Sequence, residues 1–216
     1  MIYTVTVNPC VDVLRVLNAD SQVLAEGTYR AENPYEHEKL RPGGKGIDVS
    51  RALVSLRCET KALGFIGDQT GEIVKGLLAA EGIDHDFIDS GVETRTNIIL
   101  ELRNDQKVLG EIRVNSQGRE IPPNKYQRLY DQASKIEDAE AVAISGSLSF
   151  SMQPTFYNFL ITTFKRKNPD CVVILDGPAA ATAEAMYLPQ HRPDFIKPNL
   201  KEFNDLLMYL TDEKLS

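Results

Sequence analysis

Residues 42–67 read PGGKGIDVSRALVSLRCETKALGFIG, and the fold turns on the alternation within this one stretch. A glycine cluster opens into a segment with helical periodicity, 45–56. After a short polar turn, an apolar run of strand length follows, 61–66. The same alternation extends in both directions. Further strand-like runs fall at 2–7, 141–145, 172–176 and 194–197, most of them bounded by Gly, Pro, Asn or Asp. Helical spacing predicts helices at 70–81, 124–136, 154–167 and 200–210. Strands alternating with helices imply crossover units, hence an α/β sandwich of three layers around a mostly parallel sheet.

Two regions break the pattern. Residues 96–102 and 108–114 alternate apolar and polar side chains across Asn104-Asp105, which predicts an antiparallel hairpin with one wet face. Residues 13–16 and 28–40 are strand-like but too polar for the main sheet. Together these pieces predict a small discontinuous β lid, inserted as segments of about 13–40 and 96–115 into one domain spanning 1–216. Its edge and open face call for closure over a site or for the partner of a homodimer. Residues 211–216 (TDEKLS) resemble a further helix start, so truncation is expected, with part of the last face left bare.

Composition narrows the function. The 216 residues are 42% hydrophobic and 25% charged, as in an ordinary globular domain. A net charge of -7 argues against a nucleic-acid partner. No apolar stretch reaches membrane-span length and the amino terminus has no signal-peptide pattern, so no membrane association and a cytoplasmic location are expected. Cys10, Cys58 and Cys171 have neither zinc nor redox spacing and read as free, buried thiols. His37, His85 and His191 are scattered and receive no role.

Five short motifs carry chemistry. Gly43, Gly44, Lys45 and Gly46 bare backbone amides at a helix start, where the dipole favours an anion; a flexible loop before a helix is the alternative. The loop is not a Walker A motif, because Lys39 stands at its first Gly position and Gly46 at its Ser/Thr position. Asp12, in Asn8-Pro9-Cys10-Val11-Asp12, follows the first strand, where open α/β sheets bind ligands; it suits either sugar hydroxyls or a turn. Arg95 and Asn97 stand where the hairpin leaves the core, and Arg suits bidentate phosphate contact. Ser145-Gly146-Ser147 ends another strand but is no nucleophile elbow, so a tight turn touching ligand is expected. Lys197-Pro198-Asn199-Leu200-Lys201-Glu202 closes a strand and opens a helix, with Asn199 and Glu202 spaced either to cap it reciprocally or to sit near a phosphate-bound cation.

In order and spacing, NPCVD, PGGKGIDVSR, ETRTN, SGSL and KPNLKE resemble the PfkB (ribokinase-like) family of carbohydrate kinases along the whole chain. The NPxxD start and the TRTN segment look like its branch of 1-phosphofructokinases and tagatose-6-phosphate kinases. The resemblance implies ATP-dependent phosphorylation of a ketohexose phosphate, fructose 1-phosphate or tagatose 6-phosphate, with ATP as co-substrate and Mg2+. It implies that Asp12, the loop from Gly43 to Gly46 with Lys45, and Asn97 contact the sugar, that Arg95 and Lys45 hold its phosphate, and that Arg30 assists. Lys197, Asn199 and Glu202 match the part that handles the nucleotide phosphates, with magnesium reached from Asn199 and Glu202 through water. Asp48 stands where the commonest form of the glycine motif has Asn, which adds negative charge near a phosphate. The family's Gly-Ala-Gly-Asp segment, with its catalytic base, is absent and expected beyond Ser216, so the short chain is expected to be inactive. Two other functions remain: a non-catalytic sugar-phosphate-binding fragment, and another sugar or nucleoside kinase of the superfamily.

Overall fold

The computed structural model describes residues 1–18, 37–104, 107–188 and 190–212. In chain order its strands are β1 (Ile2–Thr6), β2 (Cys10–Asn18), β3 (His37–Gly43), β4 (Thr60–Ile66), β5 (Asp84–Asp89), β6 (Arg95–Asn104), β7 (Lys107–Val114), β8 (Ala141–Ser145), β9 (Val172–Asp176) and β10 (Phe195–Ile196). Its helices are α1 (Lys45–Ser55), α2 (Asp68–Ala80), α3 (Pro123–Ser134), α4 (Phe156–Lys167), α5 (Ala179–Met186) and α6 (Leu200–Asp212).

The central sheet runs β10-β9-β8-β1-β4-β5, all parallel. Its two-residue period sorts side chains to opposite faces. Tyr3 and Val5 of β1 and Leu63 and Phe65 of β4 join the larger core with Leu129 of α3 and Phe156, Leu160 and Phe164 of α4. Ala62 and Ile66 point the other way, to a smaller core with Ile47 of α1 and Val74 and Leu78 of α2. Thr4 and Thr6 share that second face, and buried hydroxyls link Thr4 to Ser50 of α1 at 2.7 Å. Polar residues in a central strand are thus satisfied rather than orphaned at Thr4, and α1 sits close to the sheet. Gly46 permits this approach, since a Cβ there would lie 2.4 Å from Thr6 Oγ1.

A second sheet, β3-β2-β6-β7, stands beside the first. β2 pairs antiparallel with β3 and parallel with β6, and β6 pairs antiparallel with β7 as the alternation predicts. β2 begins at Cys10, before the predicted 13, so the sheet grows directly out of the loop after β1. The part of the predicted lid at 19–36, including Arg30, lies outside the described residues, as does Asp105 of the predicted turn.

Two expectations need correction, and two elements go beyond the sequence reading. β5 is a strand and α5 a helix, neither of them legible as a periodic segment. Residues 211 and 212 do not begin a new helix: they continue α6, and the Thr211 hydroxyl donates to the carbonyls of Leu207 and Met208 at 2.9 and 3.1 Å, while the rest of the predicted helix start, 213–216, lies outside the described residues. Cys58 is exposed, because it lies in the polar turn between α1 and β4, whereas Cys10 and Cys171 are buried as expected.

Candidate functional site

The chain order reverses between β1 and β8: β1 leads to β4 on one side, while β8 and β9 lie on the other. At such a switch point the loops leaving the strand ends diverge and open a crevice. Here a cavity of about 660 Å³ is lined by Asn8 after β1, by Gly44 and Lys45 at the start of α1, and by Gly146 and Ser147 after β8. The second sheet adds Asp12, Arg95, Asn97 and Arg113 to the wall, and Asp48 of α1 joins them. Another cavity, about 460 Å³, opens at the opposite ends of β1 and β4 around Tyr3 and Lys61 and contains none of the five motifs.

Asp12 and Asn97 are register partners on β2 and β6, so both face the cavity. Asn97 Nδ2 donates to Asp12 Oδ1 at 2.8 Å, and the Cys10 thiol approaches the same oxygen at 3.2 Å. Asn97 Oδ1 in turn accepts from the Ser116 amide at 3.1 Å. One carboxylate oxygen of Asp12 is therefore held, and the other lies beside Gly43, where a Cβ would come within 2.5 Å of it. Burial, and then the charge of Asp12, push the Cys10 thiol up to about 12, so it stays protonated and donates.

Arg95 donates from Nε to the Asn8 carbonyl at 3.1 Å and from NH1 to the Ser116 carbonyl at 2.6 Å. It fastens the loop after β1 to the loop after β7, and the remaining face of its guanidinium borders the cavity. Asn8 ties the same region together: Nδ2 lies 3.1 Å from the carbonyls of Gln117 and Leu148 and 3.3 Å from Ser147 Oγ. Above them α1 begins with no side-chain cap, at Gly44 with φ of 136°, a conformation that requires glycine. Gly44 and Lys45, at its amino-terminal end where the dipole is positive, line the cavity. The charge of Asp48 is offset by Arg51, with which it forms a close ion pair, and by Arg41 at 3.8 Å.

The far side of the site is a chain of charges. Lys45 Nζ lies 2.7 Å from Asp176 Oδ1 and 3.3 Å from Glu202 Oε1, while Lys197 Nζ lies 2.9 Å from Asp176 Oδ2. Burial draws the Lys45 ammonium downward, but the hydrogen bonds and charges of Asp176 and Glu202 outweigh it and hold it above its ordinary value. Asn199 and Glu202 form the reciprocal cap of α6: each backbone amide donates to the other's side-chain oxygen at 2.9 Å. Glu202 thus has Oε2 on the cap and Oε1 toward Lys45.

Of the predicted residues, Asp12, Gly44, Lys45, Asp48, Arg95 and Asn97 line one cavity. Gly43 and Gly46 support it from behind. Ser145 is buried at 2% exposure, off the wall; Ser147, two residues on, lines the cavity instead. Lys197, Asn199 and Glu202 reach it only through Lys45 and Asp176. Asn8, Arg113, Ser116 and Asp176 are additions. Asp176 carries a legible signal, a carboxylate ending an apolar strand before Gly177-Pro178, the same rule that singles out Asp12. Arg113 carries none, since its place in the hairpin alternation is that of a solvated cation.

A doubly wound parallel sheet, a second sheet beside its switch point and a glycine-and-cation cleft define the ribokinase-like class of α/β proteins. Within it, the chain belongs to the pfkB family of carbohydrate kinases, whose description matches residues 8–214. It is 31% identical over 206 residues to 1-phosphofructokinase of Bacillus subtilis (strain 168), covering 95% of this chain and 62% of that protein. It is 30% identical over 206 residues to 1-phosphofructokinase of Borreliella burgdorferi, covering 95% of this chain and 61% of that one. The chain thus spans about three fifths of the length of these relatives. The crystal structure of Escherichia coli phosphofructokinase-2 in complex with fructose-6-phosphate has the same fold, with a TM-score of 0.82 at 24% identity over 96% of this chain and 64% of that one.

Proposed function

We propose that these residues form the acceptor half of an ATP-dependent kinase that phosphorylates a ketohexose phosphate, converting fructose 1-phosphate to fructose 1,6-bisphosphate. The observation that carries the reading is the convergence of Asp12, Lys45, Arg95 and Asn97 on one cavity at the sheet's switch point. The names of the relatives favour fructose 1-phosphate over tagatose 6-phosphate.

Asp12 accepts hydrogen bonds from sugar hydroxyls through Oδ2, its other oxygen being held by Asn97. Arg95, with its guanidinium oriented by two backbone carbonyls, and the first amides of α1 hold the sugar's phosphate. Arg113 adds a third cation from β7, and β2, β3, β6 and β7 act as a lid that excludes water. Such chemistry rests on positioning and charge neutralisation.

Magnesium suits the carboxylates present. Among the described residues no group of three or more acidic, His or Cys side chains could hold a metal by itself. Asp176 and Glu202 nevertheless share one cation, Lys45, and magnesium binds through one or two carboxylates plus waters and nucleotide phosphates. When bound it would neutralise charge on those phosphates; Glu202 and Asp176 would hold it, with the Asn199 backbone amide orienting the Glu202 carboxylate through Oε2.

The 216 residues contain no Gly-Ala-Gly-Asp segment, so binding is their directly testable property. Isothermal titration with fructose 1-phosphate, tagatose 6-phosphate and free fructose is the experiment. Fructose 1-phosphate should bind at least about tenfold tighter than fructose, on the order of 1.4 kcal/mol. Equal affinity for the two would sink the reading.

A further inference from the structure

Lys45 belongs to both halves of the site. Its side chain lines the acceptor cavity, whereas its ammonium is drawn out of it by Asp176 at 2.7 Å and Glu202 at 3.3 Å. Neither carboxylate lines that cavity. The side chain remains 44% exposed, and it is the first residue of α1, between Gly44 and Gly46, which carry no side chains to confine it. An unbranched four-carbon stem with a compact charge can exchange one anionic partner for another by rotamer change alone. Lys197 cannot do so: it holds the other oxygen of Asp176 at 2.9 Å but is absent from the cavity wall.

Resting on the sugar-kinase reading, we propose that Lys45 is an exchangeable cation that couples the two ends of the site. Its ammonium neutralises Asp176 and Glu202 until a divalent cation takes that place, and it then swings into the cleft to hold the sugar phosphate. A divalent ion in contact with the same two carboxylates would stand within a few ångströms of the ammonium, and like charges at that range exclude each other. Conversely, a phosphate in the cleft draws the ammonium away and frees the two oxygens it held, Asp176 Oδ1 and Glu202 Oε1, while Lys197 keeps Asp176 Oδ2 and the Asn199 amide keeps Glu202 Oε2. Two ligands that shift one group in the same direction favour each other's binding, and the factor is reciprocal. A static brace, with Lys45 permanently tying α1 to β9 and α6, makes no such link.

The probe is Mn2+ alone, titrated against the 216-residue protein and followed by the electron paramagnetic resonance of the free ion, without and with saturating fructose 1-phosphate. The wild type should bind Mn2+ roughly 5- to 150-fold tighter when the sugar phosphate is present, the usual span of such coupling. Lys45→Met should bind Mn2+ more tightly than wild type without the sugar, and the sugar should then change that affinity by less than about twofold. Lys45→Arg, which keeps the cation, should retain coupling, and melting curves of both variants verify that they are folded. Coupling undiminished in Lys45→Met would mean that the phosphate's own field attracts the ion, and the inference fails. Equal Mn2+ affinity of wild type and Lys45→Met without sugar would leave Lys45 a brace and also overturn it. Wild type that binds fructose 1-phosphate without coupling defeats this inference alone; wild type that binds no fructose 1-phosphate defeats the functional reading with it.

Discussion

Single atoms decide the acceptor side of the cleft. Asp12 Oδ2 accepts no hydrogen bond among the described residues, and Gly43 leaves it room: a methyl group there would stand 2.5 Å from that oxygen and 2.6 Å from Cys10 Sγ. No methyl fits at those distances, so Gly43→Ala should push Asp12 off its bond to Asn97. Titration with fructose 1-phosphate should show about a tenfold or greater loss of affinity, equivalent to one charge-assisted hydrogen bond; unchanged affinity would show that Asp12 does not hold the sugar. The cysteines separate by the same local physics. Cys10 is buried, with its thiol pushed up to about 12, while Cys58 lies exposed in the turn after α1. Alkylation needs the thiolate and access. Iodoacetamide at pH 8 followed by peptide mass spectrometry should label Cys58 and leave Cys10 unmodified. The Asp12 cluster is legible in sequence because its residues flank strand ends. The exposure of Cys58 is not, because small apolar character says nothing of where a turn places it.

At the scale of elements, legibility followed burial pattern. Strands covered on both faces, such as β8 and β9, are continuous apolar runs and their predicted limits match those observed. β5 (DHDFID) is one of the sheet's two edge strands and mixes exposed with half-buried positions, so it lacks that signature. α5 (AAATAEAM) fails for the opposite reason: with Ala181, Thr182, Ala183 and Ala185 all buried, it has no polar face to set a period. The short β10 is secured from outside the ladder. Asp194, beside it, accepts from Lys165 Nζ of α4 at 2.9 and 2.7 Å and from the Val173 amide of β9 at 2.6 Å. Burial raises the Asp194 carboxyl, but Lys165 and the Val173 amide outweigh it and hold it below the ordinary carboxylate value. Its stabilisation is therefore present above that ordinary value and is lost as pH falls through the depressed one. Asp194→Asn should cost about 1–2 kcal/mol at neutral pH, discounted for partial exposure, or roughly 2–8 °C in Tm. Thermal melts of both proteins should converge in acid; a gap that persists there would assign the effect to packing instead of charge.

For the whole molecule, the second sheet sets the remaining question, because its two faces differ in kind. Ile99 and Arg113, register partners, turn toward the cavity. Their neighbours Ile98 and Val114, paired with each other, and Ile112, opposite Leu100, turn away and remain 38%, 55% and 51% exposed. The alternation that predicted a hairpin with one wet face was right about the hairpin, but both faces carry apolar residues, which a single strand pattern cannot reveal. An apolar stripe on a sheet whose edges are open among the described residues is a site for association. The sheet's proposed role as a lid gives the stripe its use: a second copy packed there would hold both lids at a fixed angle over their clefts, so association and acceptor binding should vary together. Sedimentation velocity should show a dimer for the wild type and a monomer for Ile112→Glu, with fructose 1-phosphate binding weakened in the monomer even though no cavity residue has changed. A wild type that sediments as a monomer would leave the stripe to another partner. A monomeric variant that binds the sugar phosphate as well as the dimer does would separate the lid from the interface.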